Sequence, residues 1–203
     1  YNAMGVEFFT PGELDFASGV EQLLELKKRS LFKYLAANIF LRHSSEHFLE
    51  ESAIVTKAGK KIAIIGLYDE SLELPNELYA SAHLEVARTL VTRLRTQVDA
   101  VVVLTHLGLE KDRELAAAVS EIDMIVGSHS NSFLTKPERI GKTLILHSSY
   151  RGQHLGIFLN GVNTFFQLDD RHVSASNQQT PMDVLLKKSK QKIAEINADT
   201  DIE

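Results

Sequence analysis

Two histidines directly follow predicted buried strands, in positions that suit metal binding. His106 comes after the apolar run 100–104, and His129, within Gly-Ser-His-Ser-Asn, comes after the run 124–126. Ligands of open α/β sheets gather at the carboxyl ends of the strands, so both side chains are predicted at one edge. Imidazole suits zinc, manganese, iron and cobalt. The pattern indicates a divalent-metal site, and the alternative is that each histidine is a polar loop residue.

Two further predicted strands are followed by candidate polar groups. Glu13 lies in Gly-Glu-Leu-Asp after the run 6–9, and His147 follows the run 144–146. Glu13 offers a carboxylate, whereas His147 is either a ligand or part of a loop whose backbone makes the contacts. The remaining histidines are predicted to be solvated or packing residues: His43, His47, His83, His154 and His172.

Composition excludes several other chemistries. The 203 residues include 22 Lys plus Arg and 27 Asp plus Glu, which gives a net charge of −5, so nucleic acid is not a predicted partner. The absence of Cys excludes disulfides, zinc ribbons, cysteine nucleophiles and iron–sulfur clusters. Neither a Gly-x-Ser-x-Gly elbow nor a phosphate-binding loop is found. No apolar run reaches the roughly 18 residues of a membrane span.

The elements that must position these residues alternate between buried strands and amphipathic helices. Such alternation is typical of an α/β protein with a largely parallel centre, and hairpins at both flanks make the sheets mixed. Strands are predicted at 6–9, 35–41, 54–56, 62–67, 100–104, 124–126 and 144–146, helices at 16–26, 82–98 and 110–120, and a closing hairpin at 155–159 and 164–168.

The last part of the sequence is predicted to lie outside this core. A polar stretch at 174–180 reads as a loop, and Pro181 opens a helix that runs to about residue 197. We therefore predict one domain over residues 1–173, followed by a loop and connector helix over 174–203.

Longer segments resemble a known family. Val-Val-Val-Leu-Thr-His-Leu-Gly at 101–108, followed by Asp112, and Ile-Asp-Met-Ile-Val-Gly-Ser-His-Ser-Asn at 122–131 resemble the 5′-nucleotidase branch of the calcineurin-like metallophosphoesterases. Segments 36–39, 59–67 and 150–156 agree in the same order. The resemblance implies a two-layer β-sandwich flanked by helices, with metal ions between strand-end loops.

The resemblance also assigns roles to individual residues. His106 matches the lone histidine ligand of the family, and His129 matches the first histidine of Gly-His-x-His, where Asn131 replaces the second. Glu13 replaces the bridging Asn of Gly-Asn-His-Glu, and Leu14 occupies the position of the catalytic histidine. His106, His129, Glu13 and Asn131 are thus the implied metal ligands, and no catalytic residue is retained.

The family's opening Asp-x-His and Gly-Asp motifs would lie before Tyr1. The resemblance therefore implies a domain whose N-terminal part is missing, with either a separate segment bound or self-association of the chain. A chain of this kind is expected to bind divalent metal weakly and to hydrolyse nucleotides negligibly by itself.

Two functions remain open at this stage. The first is a metal-dependent phosphoester hydrolase with a divergent site, acting on a phosphate monoester or nucleotide with Mn, Zn, Fe or Mg. The second is an inactive homologue that serves as a binding or partner module. The resemblance implies the periplasm or cell surface as the location.

Overall fold

A computed structural model describes residues 1–57, 59–148, 154–159 and 162–167. Three α-helices and twelve strands lie in these ranges, together with 3₁₀ turns at Asn2–Met4 and Glu13–Phe16. The helices are α1 (Val20–Arg29), α2 (His83–Arg95) and α3 (Leu109–Ala118). The strands are β1 (Phe8–Phe9), β2 (Lys33–Tyr34), β3 (Ile39–Leu41), β4 (Ser52–Lys57), β5 (Lys60–Tyr68), β6 (Leu78–Ala80), β7 (Ala100–His106), β8 (Met124–Gly127), β9 (Glu138–Ile140), β10 (Thr143–His147), β11 (His154–Leu159) and β12 (Val162–Gln167).

One six-stranded mixed sheet organises the described residues. Its order is β4-β5-β7-β8-β10-β9, with the four inner strands parallel and the two edge strands antiparallel to their neighbours. The α/β prediction with a parallel centre is confirmed. The other described strands form three two-stranded sheets, β1-β2, β3-β6 and β11-β12.

The larger hydrophobic core lies between this sheet and helices α2 and α3. Valines and isoleucines from the inner strands share this core with the apolar stripe of α2, whose Ala87, Leu90, Val91 and Leu94 recur at helical spacing. From α3, Leu115 and Ala116 join the same core. This packing holds the inner strands rigidly, so the residues at their carboxyl ends have defined positions.

A second hydrophobic core surrounds α1. The predicted helix at 16–26 differs from the structure at both ends. Phe16 ends a 3₁₀ turn and α1 begins only at Val20, because Gly19 (φ 86°) separates the two. Helix α1 then continues to Arg29, with Leu23 buried among the aromatic side chains of this second core.

The predicted strand at 35–41 is also interrupted. Its backbone pairs in turn with different segments: Leu35 N–H donates to Phe9, Ala36 N–H to Glu50 and Ala37 N–H to Gly66. Buried Asn38 then replaces the ladder, because its amide donates to the Tyr68 carbonyl and accepts from the Tyr68 N–H. Regular pairing resumes only at β3.

The remaining differences concern short elements and the end of the chain. Strands β2, β6 and β9 were not predicted, and β9 contains the charged residues Glu138 and Arg139 instead of an apolar run. The closing hairpin is confirmed as β11 and β12. The loop at 174–180, the helix from Pro181 and the domain boundary at 173 lie outside the described residues.

None of the helices in the described ranges is sufficiently long and apolar to cross a bilayer.

Candidate metal centre

The two strand-end histidines meet, as predicted. His106 is the last residue of β7, and His129 lies two residues beyond the end of the neighbouring strand β8. His106 Nε2 lies 3.3 Å from His129 Nδ1. The prediction that the two rings lie at neighbouring strand ends with their ring nitrogens close together is confirmed.

Glu13 brings a carboxylate to the same place. Its Oε2 lies 2.5 Å from His106 Nε2 and 3.6 Å from His129 Nδ1. The turn that carries Glu13 is closed by Asp15, whose carboxylate accepts the Gly12 N–H at 2.8 Å. One ligand atom from each of Glu13, His106 and His129 lies within 4.8 Å of the other two, so these three residues could hold a single divalent cation.

Glu13 contributes a negative charge to the site. Burial alone would raise the pKa of Glu13, but backbone and His106 hydrogen bonds, together with the charges of His106 and His129, hold that pKa below its ordinary value. Glu13 is therefore ionised at neutral pH and available to a cation.

The ring of His106 is held on its face and at its edge. Tyr68 stacks on it with ring centroids 6.2 Å apart, and a side-chain carbon at Gly12 would overlap the ring. At the edge, His106 Nδ1 lies 3.0 Å from Ser128 Oγ. Burial, with the charges of Glu13 and Asp69, raises the pKa of Tyr68, so its phenol stays neutral beside the site.

His129 has a strained backbone. Its φ of 76° lies in the left-handed region, which is uncommon for residues other than glycine. The loop before it is tied to β7, because Ser128 N–H donates to the Thr105 carbonyl and Gly108 N–H donates to the Ser128 carbonyl. These bonds hold the conformation that directs His129 toward His106.

A second polar group lies buried next to the candidate centre. Thr105, Gly127 and His147 are register partners across β7, β8 and β10. From α3, Asp112 accepts the Thr105 hydroxyl at Oδ1 (2.7 Å), and its Oδ2 lies 2.7 Å from His147 Nε2. Gly127 is required between them, because a side-chain carbon there would overlap both Asp112 Oδ2 and His147 Nε2.

His147 matches neither predicted possibility, because it is the last residue of β10 and its side chain pairs with Asp112. Its side chain is buried against Asp112 and does not join the group of Glu13, His106 and His129. Burial raises the pKa of Asp112, opposed by the hydrogen bonds from His147 and Thr105.

Other predicted residues fall as follows. Leu14 is 80% exposed and offers no hydrogen-bonding group. Asn131 is exposed and makes no hydrogen bond or ion pair within the described ranges.

The remaining histidines lie in different surroundings. His43 and His47 are exposed. His83 is buried with Nδ1 2.7 Å from Glu70, and His154 stacks on Phe133. His172 lies outside the described residues.

Sequence similarity to known proteins shows the family to which this chain belongs. The chain is 32% identical over 149 residues to a probable 5′-nucleotidase of Treponema pallidum, and 30% identical over 145 residues to a 5′-nucleotidase of Mus musculus. These matches cover 70% and 66% of this chain. The chain belongs to the 5′-nucleotidase family of metallophosphoesterases.

A solved member of this family agrees in fold. The 5′-nucleotidase precursor of Thermus thermophilus superposes with a TM-score of 0.75 at 20% identity, over 98% of this chain and 45% of that structure. The chain spans about a quarter of the length of the curated 5′-nucleotidases that it matches. No family model matches the sequence.

Sequence reasoning missed the partners of the histidines. The contacts of Ser128 with His106 and of Asp112 with His147 join residues 22 and 35 positions apart, and no local period shows them. Asp112 lies one helical turn after Gly108, and Gly108 belongs to the loop that follows the predicted strand. This spacing is a usable sequence signal that Asp112 lies near the strand end.

Proposed function

We propose that this chain is part of a metal-dependent phosphoester hydrolase of 5′-nucleotidase type, in which Glu13, His106 and His129 hold a divalent cation, with Asn131 as a further ligand. The observation that supports this most directly is the meeting of one carboxylate and two imidazoles at the carboxyl edge of the sheet. The substrate class is a phosphate monoester or a nucleotide, in keeping with relatives named 5′-nucleotidase and apyrase.

The donor set suits manganese, zinc, iron or magnesium. Two imidazoles favour the transition metals, whereas the carboxylate at Glu13 and the amide at Asn131 add oxygen donors that harder cations prefer. The low pKa of Glu13 supplies a full negative charge to the ion. The chain therefore binds a hard or borderline cation in preference to a soft one.

Each residue has a separate task in this proposal. A bound divalent ion supplies Lewis-acid polarisation of a phosphoryl oxygen and lowers the pKa of water. His106 and His129 orient their ring nitrogens toward one point, and Glu13 balances the positive charge there. Leu14 cannot protonate a leaving group, so hydrolysis lacks the acid–base contribution that a histidine at this position would make.

The replacement at Leu14 also favours a second function. An exposed leucine beside a metal site offers an apolar contact instead of a proton donor. In the alternative proposal, the protein keeps the fold and the cation and acts as a binding or partner module without turnover.

We also infer a periplasmic or cell-surface location. This part of the proposal rests on the family resemblance, and one similar structure is described as a 5′-nucleotidase precursor.

Calorimetric titration of manganese and zinc into the chain tests the proposed metal site. We expect His106→Ala to abolish the binding seen with the wild type, and the exposed His43→Ala to leave it unchanged. Equal binding by wild type and His106→Ala would contradict the proposed site. Phosphate release from a nucleoside monophosphate by the full protein then separates the two functions, because only the hydrolase releases phosphate.

A further inference from the structure

Ser128 contacts the edge of His106 that faces away from Glu13. Its Oγ lies 3.0 Å from His106 Nδ1, whereas Glu13 lies against Nε2 on the opposite side of the ring. Ser128 is exposed, and it follows β8 directly. The hydroxyl is therefore in hydrogen-bond contact with a proposed ligand without occupying the space where the ion would lie.

The hydroxyl proton of Ser128 has another acceptor. Ser128 Oγ lies 2.8 Å from the Thr105 carbonyl oxygen, which can only accept, so the hydroxyl donates to it. The oxygen of Ser128 is then left to accept a hydrogen bond from Nδ1–H of His106. This direction argues against a serine-hydrolase triad of Ser128, His106 and Glu13, because there the serine proton must point at the imidazole.

The contacts on the faces of the His106 ring do not select a nitrogen, whereas Glu13 at Nε2 and Ser128 at Nδ1 do. Stacking on Tyr68 and the close approach of Gly12 restrict the plane of the ring. Rotating the ring by half a turn keeps both face contacts but brings one carbon against Ser128 Oγ and another against Glu13 Oε2. The hydrogen bond to Ser128 opposes that rotation, and it keeps a proton on Nδ1.

We propose that Ser128 is a positioning residue, which holds His106 with Nδ1 protonated and the Nε2 lone pair directed at the cation. This inference rests on the proposed metal site. Partners that orient a ligating histidine through its second nitrogen contribute about 10–100-fold to metal affinity. Since Ser128 is exposed, removing its hydroxyl is expected to change zinc affinity while leaving the unfolding midpoint unchanged.

The test uses the full chain with ¹⁵N-labelled histidine, titrated with zinc chloride and followed by long-range ¹H–¹⁵N NMR. Ser128→Ala is compared with Ser128→Thr, which keeps a hydroxyl, and with Ser132→Ala, which removes a nearby serine. Wild type, Ser128→Thr and Ser132→Ala are expected to show zinc at His106 Nε2 and a slowly exchanging Nδ1–H. Ser128→Ala is expected to bind zinc about 10–100-fold more weakly and to lose the Nδ1–H signal to exchange.

Two results would overturn the inference in distinguishable ways. Zinc binding at His106 Nε2 with equal affinity in wild type and Ser128→Ala would exclude the role of Ser128 and leave the metal site intact. A wild type whose His106 and His129 resonances do not respond to zinc would exclude the proposed metal site, and the role of Ser128 with it.

Discussion

The Asp112 carboxylate and the His147 imidazole form a buried pair, with Oδ2 2.7 Å from Nε2 and side chains 0% and 1% exposed. The pair joins α3 to β10 across Gly127 of β8. Thr105, which completes the group, directly precedes His106. The buried contacts that join α3 to β10 therefore include the residue next to His106 of the candidate metal centre.

Asp112→Ala is expected to destabilise the chain strongly. The substitution leaves the His147 ring and the Thr105 hydroxyl buried without their acceptor, which costs about 3–5 kcal/mol in comparable buried pairs. Urea unfolding measures the change, and Glu114→Ala, an exposed position on the same helix, is the control. A loss no larger than that of the control would show that the buried pair contributes nothing net.

Gly12→Ala is expected to weaken zinc binding by roughly tenfold or more, because a ligating histidine that is displaced loses its orientation. The new side-chain carbon would overlap the His106 ring. Calorimetry with zinc measures the effect, with the exposed Ser18→Ala as a control in the same segment. Unchanged affinity would mean that His106 can move away without loss.

Asp69→Asn is expected to lower stability at neutral pH but not in acid. Burial would raise the pKa of Asp69, yet hydrogen bonds from Lys111 and Ser71 and the charge of Lys111 hold it below 3.8. The folded chain thus binds this proton more weakly than the unfolded chain. The carboxylate stabilises the fold above 3.8, and this contribution disappears as the pH falls through the lower folded pKa.

The expected cost of Asp69→Asn at neutral pH is about 1.5–3 kcal/mol, the range for hydrogen bonds to charged groups. Urea unfolding at neutral pH and again well below 3.8 measures the difference from wild type, with the exposed Glu85→Gln as the control. A difference that stays constant between the two conditions would exclude the Asp69–Lys111 pair as its source.

Leu14→His is expected to raise phosphate release by the full protein if the rest of the site is competent. A positioned histidine contributes about 10²–10⁴-fold as an acid or base. Leu14 is 80% exposed, so the substitution should leave stability unchanged, and Leu31→His, at an 84% exposed position, is the matched control. No gain with metal bound would mean that the remaining ligands limit turnover.

The sequence by itself determined the class of fold and part of the site. Continuous apolar runs and stripes of period 3.6 located most of the large sheet and helix α2, because burial acts on each element separately. The same runs predicted that His106 and His129 share an edge, since the carboxyl ends of parallel strands meet there. The position of a residue directly after a buried strand is visible in the local sequence, and it is enough to predict the edge of the sheet at which that residue lies.

Only the tertiary structure decided which groups touch. Glu13 and His106 are 93 residues apart, and their contact depends on how the turn before α1 lies against the end of β7. The hydrogen bond of Ser128 and the burial of His147 against Asp112 depend likewise on register between strands and on a glycine with no room for a side chain. Such contacts are set by packing in three dimensions, which no periodicity along the chain records.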